Sequence, residues 1–200
     1  MRIILFTGFL GSGKTTVLLN LAEYLARTTE GGGGKVVIIE NEIGDVNVDG
    51  KLLSGSSFET RDLTSGCICC TLSGELVRAL QEIQESIKPS WILIEATGLA
   101  HQTIADTIGR ALPSTVPMSV VVVDAERWEE LYDSIPILIS AQVERADLIL
   151  INKIDSVEDD ELKVIENDVK DINAESPLIK IAASRDRLDN VWQEVIVNAS

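Results

Sequence analysis

The first twenty-seven residues leave little freedom of fold. Residues 3–7 form a short apolar run with strand character, and Gly8-Phe9-Leu10-Gly11-Ser12-Gly13-Lys14-Thr15 follows it directly. The octapeptide satisfies G-x-x-x-x-G-K-[ST]. Residues 15–27 then carry Val17, Leu18, Leu21, Ala22 and Leu25 at three- and four-residue spacing, the period of an amphipathic helix. Between a strand and a helix such a loop is a phosphate cradle. Glycines let successive backbone N–H groups wrap a β-phosphate, and the helix N-terminus adds partial positive charge. Gly8, Gly11, Ser12, Gly13, Lys14, Thr15 and Thr16 are therefore expected to bind nucleotide. Lys14 contacts the β- and γ-phosphates in this reading, and the Thr15 hydroxyl ligates Mg²⁺. A plain glycine turn with a surface lysine is the bland alternative, and it does not account for every fixed position of the motif falling in this context.

The rest of the chain repeats the alternation. Apolar runs at 35–40, 90–95, 118–124, 148–151 and 178–181 read as strands, and 72–87 reads as a helix ending near Pro89. Gly31-Gly32-Gly33-Gly34 cannot hold a helix and marks a turn. Residues 58–63 read equally as a short strand or an extended loop. Glu158-Asp159-Asp160-Glu161 is expected to open a solvated helix, its charges facing the positive N-terminus. Continuous apolar strands separated by helices predict an α/β fold: a mostly parallel sheet with helices on both faces, as in the P-loop NTPases. No linker divides the chain, so residues 1–200 are expected to form one domain. In such sheets ligands bind beyond the carboxyl ends of the strands, where the polar motifs fall.

Asn152-Lys153-Ile154-Asp155 follows the run at 148–151. N-K-x-D reads guanine: a carboxylate at Asp155 accepts from the base N1–H and N2–H₂, a donor pair that adenine lacks. Asn152 helps hold the loop, and the Lys153 stem lies along the base plane. Downstream, Ile181-Ala182-Ala183-Ser184 stands where many GTPases carry S-A-K, and from that likeness Ala182 is expected to offer a backbone N–H to guanine O6. Glu95-Ala96-Thr97-Gly98 ends another buried strand with an acid and a glycine. Glu95 is expected to hold Mg²⁺ through a water, and Gly98 to bring a backbone N–H to the γ-phosphate. Glu42, Asp45 and Asp49 lie in a loop suited to sensing nucleotide or metal, with a solvated acidic loop as the alternative. Asp45, or a water beside it, is the candidate for orienting an attacking water.

All three cysteines of the chain stand within Gly66-Cys67-Ile68-Cys69-Cys70. An odd, clustered set argues against a secreted disulfide scaffold and for the cytoplasm. Thiolates suit Zn²⁺, Co²⁺, Ni²⁺ or Cu(I). Cys67, Cys69 and Cys70 supply at most three sulfurs, so a fourth ligand must come from Glu42, His101, water or a partner. A redox pair and plain packing of small apolar side chains are the competing readings. His101 alone reads as a surface or cap residue before a ligand, and Trp91, Trp128 and Trp192 read as packing. A net charge of −15 repels phosphate backbones and anionic lipid, and aromatics at 4% argue against base-stacking platforms, so no nucleic acid or membrane is expected as a partner.

Together these segments resemble the CobW-like branch of the metallochaperone GTPases, relatives of the UreG and HypB nickel-insertion proteins. The resemblance rests on the phosphate loop through Thr16, on Asn41-Glu42-Ile43-Gly44-Asp45 through Asp49-Gly50, and on Gly66-Cys67-Ile68-Cys69-Cys70-Thr71-Leu72. It continues in Glu95-Ala96-Thr97-Gly98-Leu99-Ala100 and in Ala141-Gln142-Val143-Glu144-Arg145-Ala146-Asp147 leading to the N-K-x-D segment. It implies slow GTP hydrolysis to GDP with Mg²⁺, and a transition metal, Zn²⁺ or Co²⁺ first, held by the C-x-C-C cysteines. It also implies delivery of that metal to a client metalloprotein or a cobalamin-related enzyme. The family usually carries Glu at position 45 and a hydroxyl residue at 96, and most members have a C-terminal domain, which is not expected here. The oligomeric state is open, a homodimer included. Two rivals remain at this point. One is a nucleotide-gated regulatory module for a corrinoid- or metalloenzyme with redox-active cysteines. The other is an ATP-dependent kinase, against which Asp155 argues.

Overall fold

A computed structural model of the chain describes residues 1–28, 35–40, 58–62, 72–96 and 101–198. Seven strands run through these residues: β1 (Arg2–Thr7), β2 (Val36–Glu40), β3 (Phe58–Asp62), β4 (Trp91–Glu95), β5 (Met118–Asp124), β6 (Leu148–Asn152) and β7 (Leu178–Lys180). They form one sheet in the order β3-β2-β4-β1-β5-β6-β7, every pairing parallel. The helices are α1 (Lys14–Thr28), α2 (Leu72–Glu82), α3 (His101–Ala111), α4 (Trp128–Ser134), α5 (Pro136–Val143), α6 (Asp159–Ile172) and α7 (Asp189–Asn198). Among the described residues no helix is long and apolar enough to cross a membrane.

The pleat divides each strand between two cores. Ile4 and Phe6 of β1 pack with Val17, Leu18 and Leu21 of α1 and with Trp192 of α7. Ile3 and Leu5 turn to the other face, against Leu76 and Leu80 of α2 and Ile108 of α3. Beyond β1, Val121 and Val123 of β5 meet Trp128, Val143 of α5 and Val169 of α6. Both faces are covered, which is why the central strands read as unbroken apolar runs. Each such side chain contributes roughly 1.5–3 kcal/mol on burial, so the sheet is fixed chiefly by this packing. All three tryptophans are packed, Trp192 fully.

Residues 58–62, open between strand and loop in the sequence, form β3, with Phe58 in register with Val36 and Asp62 with Glu40. The segment 72–87 is helical as expected, but its end widens into a π-helical turn, Ile83–Ile87. Lys88 closes it with φ of 51°, its N–H donating to the Ile83 carbonyl at 3.0 Å. Pro89 then bars any further turn. The acidic stretch does open α6, the Glu161 carboxylate accepting the Glu158 N–H at 3.2 Å. Helices α4 and α5 were not legible as separate elements. Pro136 stands in the first turn of α5, where a missing N–H costs nothing, and so restarts the helix after Ile135.

Candidate nucleotide site

Strand β1 lies between β4 and β5, where the winding of the sheet reverses and a crevice opens beyond the strand ends. The phosphate loop enters this crevice from β1. Gly8 has φ of 142°, and a Cβ there would fall on the Val122 carbonyl oxygen of β5. Gly13 has φ of 92°, and a Cβ there would strike the Asn152 amide nitrogen. Side chains rarely adopt either conformation and neither position has room for one. The loop turns on a Ser12 N–H to Phe9 carbonyl bond of 3.1 Å and runs into α1, whose first-turn N–H groups have no partner within the helix. The buried hydroxyls of Thr7 and Ser12 carry no hydrogen bond among the described residues.

Lys14 and Thr15 face the end of β4. The Lys14 ammonium donates to the Phe9 carbonyl at 3.1 Å and stands 3.8 Å from the Glu95 carboxylate. Thr15 Oγ1 donates to the other Glu95 oxygen at 2.8 Å. Lys14 and Glu95 are both buried, at 7% exposure each. A hydroxyl and a carboxylate side by side, beside a phosphate loop, form an oxygen donor set of the kind Mg²⁺ takes, so these residues fit that ion. Ala96 is fully buried among apolar side chains, its N–H on the Phe6 carbonyl at 2.9 Å. A hydroxyl at this position would have to find a partner in that setting.

The N-K-x-D segment leaves β6 two strands away. Asn152, 4% exposed, joins three loops. Its Nδ2 donates to the Ser12 carbonyl at 2.8 Å, and its Oδ1 accepts the Ala183 N–H at 3.0 Å. The expectation that Asn152 holds the loop is thereby given a partner, the phosphate loop itself. Lys153 adopts φ of 62°, and its ammonium meets Asp124 at 2.8 Å and Glu126 at 3.3 Å. Burial pulls the Lys153 ammonium down, but hydrogen bonds and charge from Asp124, then Glu126, outweigh it and hold its pKa above the ordinary lysine value. A cation with a raised folded pKa contributes stability fully below the unfolded value, about 10.4, and loses it as pH climbs through the folded one. In urea melts the advantage of the wild type over Lys153→Met will therefore be present at pH 8 and shrink above about pH 10.4.

Asp155 holds Arg185 Nε at 2.9 Å. The Ala182 N–H, expected to face guanine O6, donates here to Asp186 Oδ2 at 3.0 Å. Arg127 Nη1 donates to the Leu10 carbonyl at 3.3 Å, across the outer rim of the phosphate loop. Arg127, Ala183, Arg185, Asp186 and Asp124 were not singled out in the sequence. Asp124 carried a usable signal, because it ends the buried run Val120-Val121-Val122-Val123 as Glu95 ends β4. Glu42, Asp45, Asp49, Cys67, Cys69, Cys70 and Gly98 lie outside the described residues, as does the side chain of His101.

A parallel sheet with this loop after its central strand, a lysine, threonine and acid converging on it, and a loop-tying asparagine at the end of β6 defines a P-loop nucleotide-binding domain. Residues 2–180 match the CobW/HypB/UreG nucleotide-binding domain, and the chain belongs to that family. The zinc-regulated GTPase metalloprotein activator 1 of Dictyostelium discoideum is 28% identical over 90% of this chain and 45% of its own length. The zinc chaperone YjiA of Escherichia coli strain K12 is 33% identical over 90% of this chain and 57% of its own. The crystal structure of Zn(II)-bound YjiA GTPase from E. coli superposes with a TM-score of 0.61 at 25% identity, covering 90% of this chain and 57% of that one. The chain spans about half the length of the curated relatives it matches.

Proposed function

We propose that the chain is a GTP-hydrolysing metallochaperone domain that holds a transition metal through Cys67, Cys69 and Cys70, with Glu42 as a further ligand. The observation that carries the nucleotide half is the convergence of Lys14, Thr15 and Glu95 with Asn152, which ties the phosphate loop to the loop bearing Asp155. Guanine is the base for which a carboxylate at Asp155 has a matching donor pair. The metal half is supported by the softness of three clustered thiolates and by relatives named as zinc chaperones. Zn²⁺ is the first cargo to test and Co²⁺ the second.

In this reading Lys14 and the amides of the phosphate loop bind the β- and γ-phosphates, Thr15 and Glu95 hold Mg²⁺, and Gly98 offers an N–H to the γ-phosphate. Asp45 orients the attacking water. Mg²⁺ held by Thr15 and, through a water, by Glu95 would supply positive charge against the charge that develops on the phosphates. The γ-phosphate biases residues 42–49 and 67–70 toward the arrangement that completes the metal site, and hydrolysis to GDP releases it. The recipient is a client metalloprotein or a cobalamin-related enzyme in the cytoplasm, where thiols stay reduced. A homodimer is one arrangement in which a second copy supplies a ligand.

Linkage makes the coupling reciprocal: if GTP tightens metal, metal tightens GTP by the same factor. Zn²⁺ titrated against the chain will bind about 5- to 150-fold more tightly with Mg²⁺ and a non-hydrolysable GTP analogue than without. The Cys67→Ser/Cys69→Ser/Cys70→Ser variant will lose the metal and keep the nucleotide. Equal Zn²⁺ affinity in both states would remove the coupling. Cysteines that oxidise reversibly and never hold metal would favour the redox module instead.

A further inference from the structure

The groups assigned to reading guanine are already engaged by the chain itself. Arg185 Nε meets the Asp155 carboxylate at 2.9 Å, and Asp186 Oδ2 accepts the Ala182 N–H at 3.0 Å. Two consecutive residues thus present a donor to the carboxylate and an acceptor to the amide. That is the polarity of guanine's Watson–Crick edge, N1–H and N2–H₂ beside O6, whereas adenine presents an acceptor at N1 and a donor at N6. Both side chains hang from one turn, because the N–H groups of Arg185 and Asp186 bond the same Ala182 carbonyl at 2.8 and 2.9 Å. The Arg185 side chain is 71% exposed, so packing does not force it onto Asp155.

We propose that Arg185 and Asp186 are specificity-determining residues of the base site, setting how much guanine adds to nucleotide affinity. The inference rests on the reading of Asp155 as the guanine acceptor. A guanine that seats must displace both contacts, so its apparent affinity is reduced by the fraction of molecules in which the pair is closed. A nucleotide held by its phosphates alone displaces neither. Arg185 and Asp186 therefore narrow the gap between guanine and adenine nucleotides. Exposed ion pairs are weak and screened by salt, so the expected size is about twofold to sixfold.

Calorimetric titration of GDP and ADP, with Mg²⁺ present, into wild type, Arg185→Ala, Arg185→Lys and Arg185→Ala/Asp186→Ala tests this, with thermal melts as a control on folding. Arg185→Ala will tighten GDP about twofold to sixfold and leave ADP unchanged, the double variant will tighten GDP further, and Arg185→Lys will fall between. Raising salt will improve GDP relative to ADP in wild type and not in Arg185→Ala. GDP binding that is unchanged or weaker in Arg185→Ala overturns the proposal, as does an equal gain for GDP and ADP. Failure of the underlying guanine reading looks different: wild type would not prefer GDP, and Asp155→Ala would alter neither ligand.

Discussion

Lys14→Ala will abolish useful nucleotide binding and will also destabilise the empty protein. The ammonium sits against the Phe9 carbonyl and beside Glu95, aimed at the ground where the phosphates of the proposed site lie. A hydrogen bond to a charged group contributes about 1.5–3 kcal/mol, and Lys14 is placed to make several, so GDP and GTP affinity will fall on the order of a hundredfold or more. The second effect comes from what is left behind. Glu95 is 7% exposed, and without Lys14 its carboxylate keeps the Thr15 hydroxyl as a partner but no neighbouring cation from the phosphate loop. Breaking a buried pair by removing one member costs roughly 3–5 kcal/mol; at 3.8 Å the pair is long, which places the expectation near 3. The two effects separate in Lys14→Met/Glu95→Gln, which removes both charges. That variant will regain stability in urea melts and will still fail to bind nucleotide by calorimetry. If Lys14→Ala binds GDP as wild type does, the phosphate site is wrongly placed. If the double variant is no more stable than the single one, the uncompensated carboxylate is not the cause.

What the sequence made legible follows from how far apart the necessary residues stand. The phosphate loop was complete because its eight positions are consecutive and its glycine conformations are local properties. The sheet was legible for the strands buried on both faces, such as β1 and β5, because an unbroken apolar run that short is what double burial demands of a strand. At β3, Phe58-Glu59-Thr60-Arg61-Asp62 lacks that signature, and only its register against β2 decides that it is a strand. Glu95 was found from its place at the end of β4, but its bond to Thr15 depends on β4 lying beside β1, eighty positions away in the chain. The same limit hid the partners of the N-K-x-D loop. Asn152 was recognised as a holder of loops, yet that it reaches Ser12 and Ala183 requires β6 and β7 to be aligned with the phosphate loop. Ala182 shows the converse. Its N–H is expected at guanine O6 from the likeness of its segment to S-A-K, and the structure adds an acceptor that the sequence did not show, a side chain four residues on. Polar groups at the rim of a site are shared among several acceptors, and which one holds them is settled by three-dimensional placement.

Asn152→Ala will loosen both ends of the nucleotide site at once. The side chain donates to the Ser12 carbonyl and accepts the Ala183 N–H, and Asn152, Ser12 and Ala183 are all buried. Truncation leaves a donor and an acceptor out of reach of water, each costing about 1–3 kcal/mol, so the urea midpoint will move by the equivalent of about 2–6 kcal/mol. The damage extends to ligand binding because the same side chain packs where a Gly13 Cβ would stand and so sets the shape of the phosphate loop. GDP affinity will fall with stability, by calorimetry, although the proposed contacts to the phosphates and to the base edge come from Lys14 and Asp155, not from residue 152. Asn152→Asp separates the two bonds. The carboxylate still accepts from Ala183, but it cannot donate to Ser12 and sets a negative charge against a carbonyl oxygen. Burial and that repulsion raise its folded pKa, so its stability deficit at neutral pH will shrink as pH falls and the protonated carboxyl donates again. Asn152→Ala has no titrating group there, and its deficit against wild type will not follow that course. An Asn152→Ala protein less than about 1 kcal/mol below wild type, with GDP affinity intact, would show that the two loops are held together by other contacts.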